Sequence, residues 1–205
     1  MKKILTTAIL CAGLVGFTAC DSFLDEDPKS SLTLDTYYKT SADIIGNVNY
    51  LYRDGAPDKM GNMTGAYRGS SLSVMNMVTG YFVNEYEGQE VDCSYARQLT
   101  RQDFTQSCCN YLTNDTWKSC YKSINVANAV IKYVDGVEMD NQAQYKAEAR
   151  FFRALNYFYL VKMFGDVPMV TEPTEDATLV EYPTRTAASE VFNTVIIPDL
   201  QFAVE

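Results

Sequence analysis

Between Gly80 and Thr113 the chain reads GYFVNEYEGQEVDCSYARQLTRQDFTQSCCNYLT, where aromatic rings are interleaved with amide, acidic and basic side chains. Tyr81, Tyr86, Tyr95 and Tyr111 offer flat faces, and Asn84, Glu85, Arg97 and Asn110 offer hydrogen-bonding partners. Such a mixture suits sugar recognition, because the C–H face of a sugar ring stacks on an aromatic wall while a few placed polar groups hold its hydroxyls. Tyr81, Tyr86, Tyr95, Arg97 and Asn110 are therefore the candidate ligand-binding residues. The competing reading is packing: 15 of the 205 residues are tyrosine, and most of them must fill a core.

Catalytic and metal chemistry have less to draw on. The chain has no histidine, which removes the commonest general base and the commonest metal ligand together. A pair of carboxylates could serve glycoside hydrolysis, but the acids fall mainly in the tether, helix caps and loops. No catalytic residue, metal ligand or cofactor site is assigned. Of the six cysteines, Cys11 and Cys20 belong to the N-terminal segment, leaving Cys93, Cys108, Cys109 and Cys120. Three full pairings are open to these four. Neighbouring Cys108 and Cys109 are hard to bridge to each other, so a link from one of them to Cys93 or Cys120 is favoured. A four-thiolate metal site lacks paired CxxC spacing. A formal charge of −9, with no basic patch, argues against nucleic acid and anionic membrane surfaces as partners.

The N-terminus carries a different chemistry. MKKILTTAILCAGLVGFTAC has a basic start, an apolar stretch from Ile4 to Ala19, and small residues before a cysteine. The apolar stretch is shorter than the roughly 20 residues a spanning helix needs, so it reads as an export signal. Phe17-Thr18-Ala19-Cys20 resembles a lipobox, with Phe17 in place of the usual leucine. Diacylation of Cys20 would then give stable membrane anchoring; an ordinary signal peptide is the alternative. The expected organisation is a lipoprotein signal over 1–19, an acidic lipid-anchored tether over 20–39, and an α-helical domain over 40–205. DSFLDEDPKSS at 21–31, acidic and containing Pro28, suits an extended tether.

Positioning these residues falls to helices. Gln144 to Phe164 reads as one helix about 30 Å long, bearing two apolar stripes: Phe151, Ala154, Leu155, Phe158 and Phe152, Leu155, Tyr159, Met163. Lys146, Arg150, Arg153 and Asn156 leave a narrow polar edge, and Gly165 with Pro168 closes the helix. Two stripes imply two packing partners and a central strut. Trp117 to Val134 is its antiparallel mate, with Trp117 and Tyr121 as packing anchors and Asn128 bonded to a carbonyl or loop. Thr40 and Asp43 cap a helix running to Gly55, with Ile44, Ile45, Val48, Leu51 and Tyr52 inward. Leu72, Met75, Val78 and Phe82 suggest a further helix. After Val170 the acidic, proline-bearing run to Thr186 reads as a surface loop. Thr186 then caps a final helix with Val191, Val195, Leu200 and Ala203 inward, and Pro198 must kink or interrupt it.

Three stretches carry a resemblance. AEARFFRALNYFYLVKMFGDVPMV at 147–170, WKSCYKSINVANAVI at 117–131, and the lipoprotein segment running into CDSFLDEDPKSSLTLDTYYKTSADI at 20–44 are similar, in order and spacing, to the SusD/RagB family. That resemblance covers the whole chain. It implies an all-α, tetratricopeptide-like, SusD-like fold of helical hairpins with long irregular loops. It also implies a lipid-anchored outer-membrane protein facing the cell exterior of a Gram-negative bacterium. Its work would be to capture oligosaccharide, without catalysis, and deliver it to a SusC-like TonB-dependent transporter. A peptide-binding RagB-type relative is the nearer alternative, and a lipid-anchored secreted glycoside hydrolase the more distant one. Members of the family are longer and the helical pattern still runs at Glu205, so the chain is expected to be an N-terminal portion or a truncated product.

Overall fold

The computed structural model describes residues 33–55, 77–82, 98–104, 107–174 and 183–205, the side chains of Asp35, Asp54 and 107–115 excepted. Cys20, Tyr86, Cys93, Tyr95 and Arg97 lie outside the described residues, as do the tether to Leu32 and the side chains of Cys108, Cys109, Asn110 and Tyr111. Leu34 to Glu205 forms one compact unit.

Helix α1 spans Leu34–Tyr37 and α2 spans Ser41–Tyr50, extended by a wider π turn over Leu51–Gly55. The expected cap at Thr40 is present. The Asp43 carboxylate accepts from the Thr40 hydroxyl at 2.7 Å and from the Thr40 and Lys39 amides at 2.8 and 3.3 Å. Those bonds, the hydroxyl's first, favour the ionised carboxylate and hold its pKa below the ordinary aspartate value. Ile44, Val48 and Leu51 are buried as the spacing required, and Tyr38, upstream of the cap, is buried with them, whereas Ile45 is only partly buried and Tyr52, expected on the same face, is 54% exposed.

Helix α3 spans Ser107–Tyr133, ten residues longer at its start than the sequence pattern suggested. The weakly periodic run from Ser107 to Thr116 extends a helix already nucleated by Trp117 to Tyr133, and propagation costs far less than initiation. A 3-10 turn at Val134–Gly136 ends it. Asn141 takes a left-handed conformation, φ 61°, and opens α4, Gln142–Phe164. The connection is fastened by the Gln142 amide, which donates to the carbonyls of Val137 at 2.5 Å and Val134 at 3.3 Å, and by the Lys146–Asp135 ion pair. Gly165 closes α4 at φ 69°, where a side chain would be strained, and its N–H bonds the Val161 carbonyl at 2.9 Å.

α4 is the central strut, because both cores form on it. In one, Tyr38, Ile44, Val48 and Leu51 meet Ala127 and Val130 of α3, Val134 of the 3-10 turn, and Ala149 and Phe152 of α4. In the other, Cys120 and Ile124 meet Ala154, Tyr157, Leu160 and Val161 together with the C-terminal helices. The buried face differs from the expected stripes. Phe152 is buried, but Phe151 and Phe158 are 41% and 39% exposed, while Arg153 and Asn156, expected on a polar edge, are buried at 8% and 2%. One broad stripe, Ala149, Phe152, Arg153, Asn156, Tyr157 and Leu160, faces the neighbours, rotated off the most aromatic line.

Strands β1, Val167–Pro168, and β2, Arg185–Thr186, pair antiparallel with Val167 opposite Thr186. Helix α5, Ala188–Val191, passes through a π turn at Phe192–Ile196 into α6, Ile197–Val204. The N-cap residue is Ala187, not Thr186, and the cap is borrowed: the Asp166 carboxylate accepts the Ala188 N–H at 2.9 Å. Pro198 falls in the first turn of α6, immediately after the π turn, where its missing N–H costs least. Val191 and Val195 are buried as expected. Leu200 is not, at 39% exposed, and Ile196 and Asp199 are buried in its stead, because the π turn shifts the helical phase.

Candidate functional site

Among the five candidate ligand residues the structure describes the side chain of Tyr81 alone, and it is 88% exposed. Residues 78–80 form a turn with Gly80 at φ 77°, and the Tyr81 N–H donates to the Thr79 hydroxyl at 3.4 Å. Phe82, expected on a helical stripe, follows the turn and is 56% exposed. Leu72 and Met75 of that stripe lie outside the described residues, and Val78 belongs to the turn that Gly80 closes. On the neighbouring segment Leu99 is buried and Phe104 is 55% exposed. Gln102, at φ 56°, joins the two segments by donating from its amide to the Val78 carbonyl at 3.3 Å. Three uncovered aromatic side chains, Tyr81, Phe82 and Phe104, therefore sit on two segments tied by a hydrogen bond. Uncovered rings retain the apolar faces on which sugars stack. Phe104 was missed from sequence because nothing in its neighbourhood separates a ring facing water from a ring facing core. Asn110 lies within α3, so it belongs to a helix and not to the irregular stretch where the sequence placed it.

Helices α3 and α4 grip the chain that leaves α4. The segment from Pro168 to Thr174 leaves β1 without regular structure, and side chains satisfy its backbone. The Tyr121 hydroxyl donates to the Pro168 carbonyl at 2.7 Å. The Tyr157 hydroxyl accepts from the Val170 N–H at 2.7 Å and donates to the Val170 carbonyl at 2.8 Å. The Asn128 amide donates to the carbonyls of Val170 and Glu172 at 3.0 and 3.2 Å, as the sequence led us to expect of a polar residue on an apolar face. The Asn125 amide oxygen accepts the Thr174 N–H at 2.7 Å.

The Arg153 guanidinium completes this grip. It donates to the Asn128 side-chain oxygen at 2.9 Å and forks onto the Asp199 carboxylate at 2.6 and 2.9 Å, joining α6 to α3 and α4. A planar fork matched to a carboxylate is the geometry that makes a buried arginine tolerable. Burial pushes Tyr157 up to about 12 and raises Tyr121 as well, so both hydroxyls stay protonated and able to donate. The sequence offered Arg153 and Asp199 no signal as partners, since they are separated by the whole Pro168 to Thr186 excursion.

Trp117 and Tyr121 are anchors, as expected. Their rings lie 5.0 Å apart and Trp117 meets Phe164 edge-on at 5.1 Å. Cys120 is a free, buried thiol, pushed up to about 12 by burial. The expected link from Cys120 to Cys108 or Cys109 is therefore corrected, whereas the alternative through Cys93 lies outside the described residues. Cys108, Cys109 and Cys120 lie on one helix, and a rise of 1.5 Å per residue separates Cys109 from Cys120 by about 16 Å, beyond the reach of a disulfide.

Two open concavities, of about 320 and 380 Å³, lie elsewhere, between the N-terminal half of α4 and the end of α6. Tyr52, Glu148, Phe151, Leu200 and Val204 line the first. Among the described residues no helix is long and apolar enough to cross a membrane.

Comparison with known proteins gives a consistent result. The family model SusD-like, described as starch-binding and associating with the outer membrane, matches residues 22–205. A SusD-like protein of Formosa agariphila is 28% identical over 208 residues, covering 100% of this chain and 38% of the relative. A SusD-like protein of Bacteroides ovatus is 28% identical, covering 98% of this chain and 34% of its own. Among solved structures, a SusD superfamily protein from Parabacteroides distasonis superposes with a TM-score of 0.59 at 25% identity, over 78% of this chain and 32% of that one. A second, crystallised with xylogluco-oligosaccharide, superposes with a TM-score of 0.56 at 21% identity, over 78% of this chain and 29% of that one. The chain thus spans about a third of the length of these relatives.

Proposed function

Because this chain belongs to the SusD-like family of outer-membrane-associated, starch-binding proteins, we propose that it is a non-catalytic glycan-binding lipoprotein of the outer cell surface. Residues 1–19 export it, Cys20 carries the lipid, 20–39 form the tether, and the helical domain that follows holds oligosaccharide for a SusC-like TonB-dependent transporter. The observation that carries the glycan assignment is the exposed trio Tyr81, Phe82 and Phe104, on a chain whose family match runs from residue 22 to residue 205. Tyr86, Tyr95, Arg97 and Asn110 complete the proposed ligand set, with the polar members fixing hydroxyls that the rings cannot.

Affinity electrophoresis of the full chain against a panel of glycans, starch and xyloglucan among them, tests this reading. At least one glycan should retard the protein. Tyr81→Ala and Phe104→Ala should each weaken that binding by about twofold to tenfold, the worth of a stacking contact. Retardation indifferent to both substitutions would move the site elsewhere. Shortening of the glycan during incubation would return the protein to the hydrolases.

A further inference from the structure

Among the described residues, the non-glycine positions with a positive φ are Asn141 and Gln102. Asparagine tolerates the left-handed region because its short side chain can bond locally, and glutamine has no such relief. Gln102, at φ 56°, ends the helical stretch whose described part is 98–100. There the Asp103 N–H donates to the Gln98 carbonyl at 2.9 Å, and the Gln102 N–H to the Leu99 carbonyl at 3.0 Å. That pair of bonds is the Schellman closure of a helix, and the left-handed position within it is ordinarily glycine. A strained residue where glycine would sit without strain points to a task for its side chain.

The task is visible in where the side chain goes. From an exposed position the Gln102 amide crosses to a segment 24 residues earlier and donates to the Val78 carbonyl at 3.3 Å. Val78 opens the turn that Gly80 closes, and Tyr81 and Phe82 follow directly. Phe104 stands two residues beyond Gln102, and Leu99, 2% exposed, roots that later segment in the interior. We propose that Gln102 is a positioning residue for the ring site: its amide holds the turn that presents Tyr81 and Phe82 in register with Phe104. This role rests on the reading that those three rings meet the glycan. A sugar chain stacked on rings from two segments binds less tightly when the segments move independently, because binding must then supply their mutual ordering. Glycine at position 102 would relax the backbone and release the turn; glutamine holds the turn and keeps the strain.

The test is affinity electrophoresis of the full chain against the same glycan panel, starch and xyloglucan included, with thermal unfolding followed by circular dichroism. Gln102→Gly should leave the unfolding midpoint unchanged or raised while weakening retardation about threefold to tenfold. A residue that only capped its helix would show no loss of binding on this change. Gln102→Glu, of equal length but without a donor, should weaken binding by a similar factor. Gln102→Lys, which keeps a donor of comparable reach, should stay within about twofold of wild type. In a Phe104→Ala background Gln102→Gly should cost less than about twofold, since register between the segments no longer matters. Hydrogen exchange checks the tie without any glycan: amides of 77–82 should exchange about threefold faster or more in Gln102→Gly. Wild-type retardation or wild-type exchange of Gln102→Gly overturns the proposal, as does Gln102→Lys that binds no better than Gln102→Glu, even where Tyr81→Ala and Phe104→Ala weaken binding as the ring site requires. Retardation indifferent to those two ring substitutions removes the ring site itself, and the role of Gln102 with it.

Discussion

Asp199→Ala is the substitution that most directly tests how α6 is held. The Asp199 side chain is 3% exposed and that of Arg153 is 10% exposed, so little water reaches the pair. Removing the carboxylate deprives the Arg153 Nε and one terminal nitrogen of their acceptors and takes away the carboxylate oxygen 3.8 Å from Arg150. Breaking a buried pair from one side costs about 3–5 kcal/mol, because the surviving charge stays desolvated and unmatched. With a urea slope of about 2 kcal/mol per molar, the midpoint should fall by roughly 2 M with the slope unchanged. The control is the double change Arg153→Met with Asp199→Leu. Replacing a buried pair by apolar groups of similar size is close to neutral. This double variant still strips the Asn128 side-chain oxygen of its Arg153 donor, so it should cost about 1–3 kcal/mol, less than the single change. Far-UV circular dichroism against urea measures both. A single-variant cost below about 1 kcal/mol, or a double variant worse than the single, would refute the view that the fork is what fastens the final helix.

Three further outcomes follow from burial and titration. Phe152→Ala, at 2% exposed, should cost about 3–5 kcal/mol by opening a cavity, whereas Phe158→Ala, at 39% exposed, should cost about 1 kcal/mol; comparable losses in urea would mean that both rings are core. Tyr157 is held up to about 12 by burial, against an ordinary value of about 10, so its proton stabilises the fold fully below pH 10 and that contribution is lost as pH climbs toward 12. In an ultraviolet titration its ionisation should coincide with loss of helix, and ionisation of every tyrosine in a still-folded chain would contradict the assignment. Cys20→Ala should release the protein from the membrane fraction. Retention of that variant through a high-salt wash would place the anchor elsewhere.

What the sequence determined by itself was the period and punctuation of the helices. Thr40 with Asp43, the run from Trp117 to Tyr133, and the aromatic stretch closed by Gly165 each announce a helix through local chemistry, and α2, α3 and α4 lie there. Family resemblance was legible from two of these helical stretches, 117–131 and 147–170, together with the N-terminal segment at 20–44, in order and spacing. The exact face was not legible. From Ala149 to Leu160 every residue of α4 but Arg150, Arg153 and Asn156 is apolar or aromatic, so several stripes score alike, and hydrophobicity could not distinguish Phe151 and Phe158 from Phe152 and Tyr157. Tertiary packing decided it, because a buried guanidinium becomes acceptable once Asp199 and Asn128 arrive from other helices to meet it. The ladder of side chains that holds Pro168 to Thr174, the carboxylate of Asp166 that caps a helix 22 residues later, and the solitude of Cys120 belong to the same class. Each depends on groups far apart in the chain, and only closing the fold sets them within a hydrogen bond, or out of reach of a disulfide.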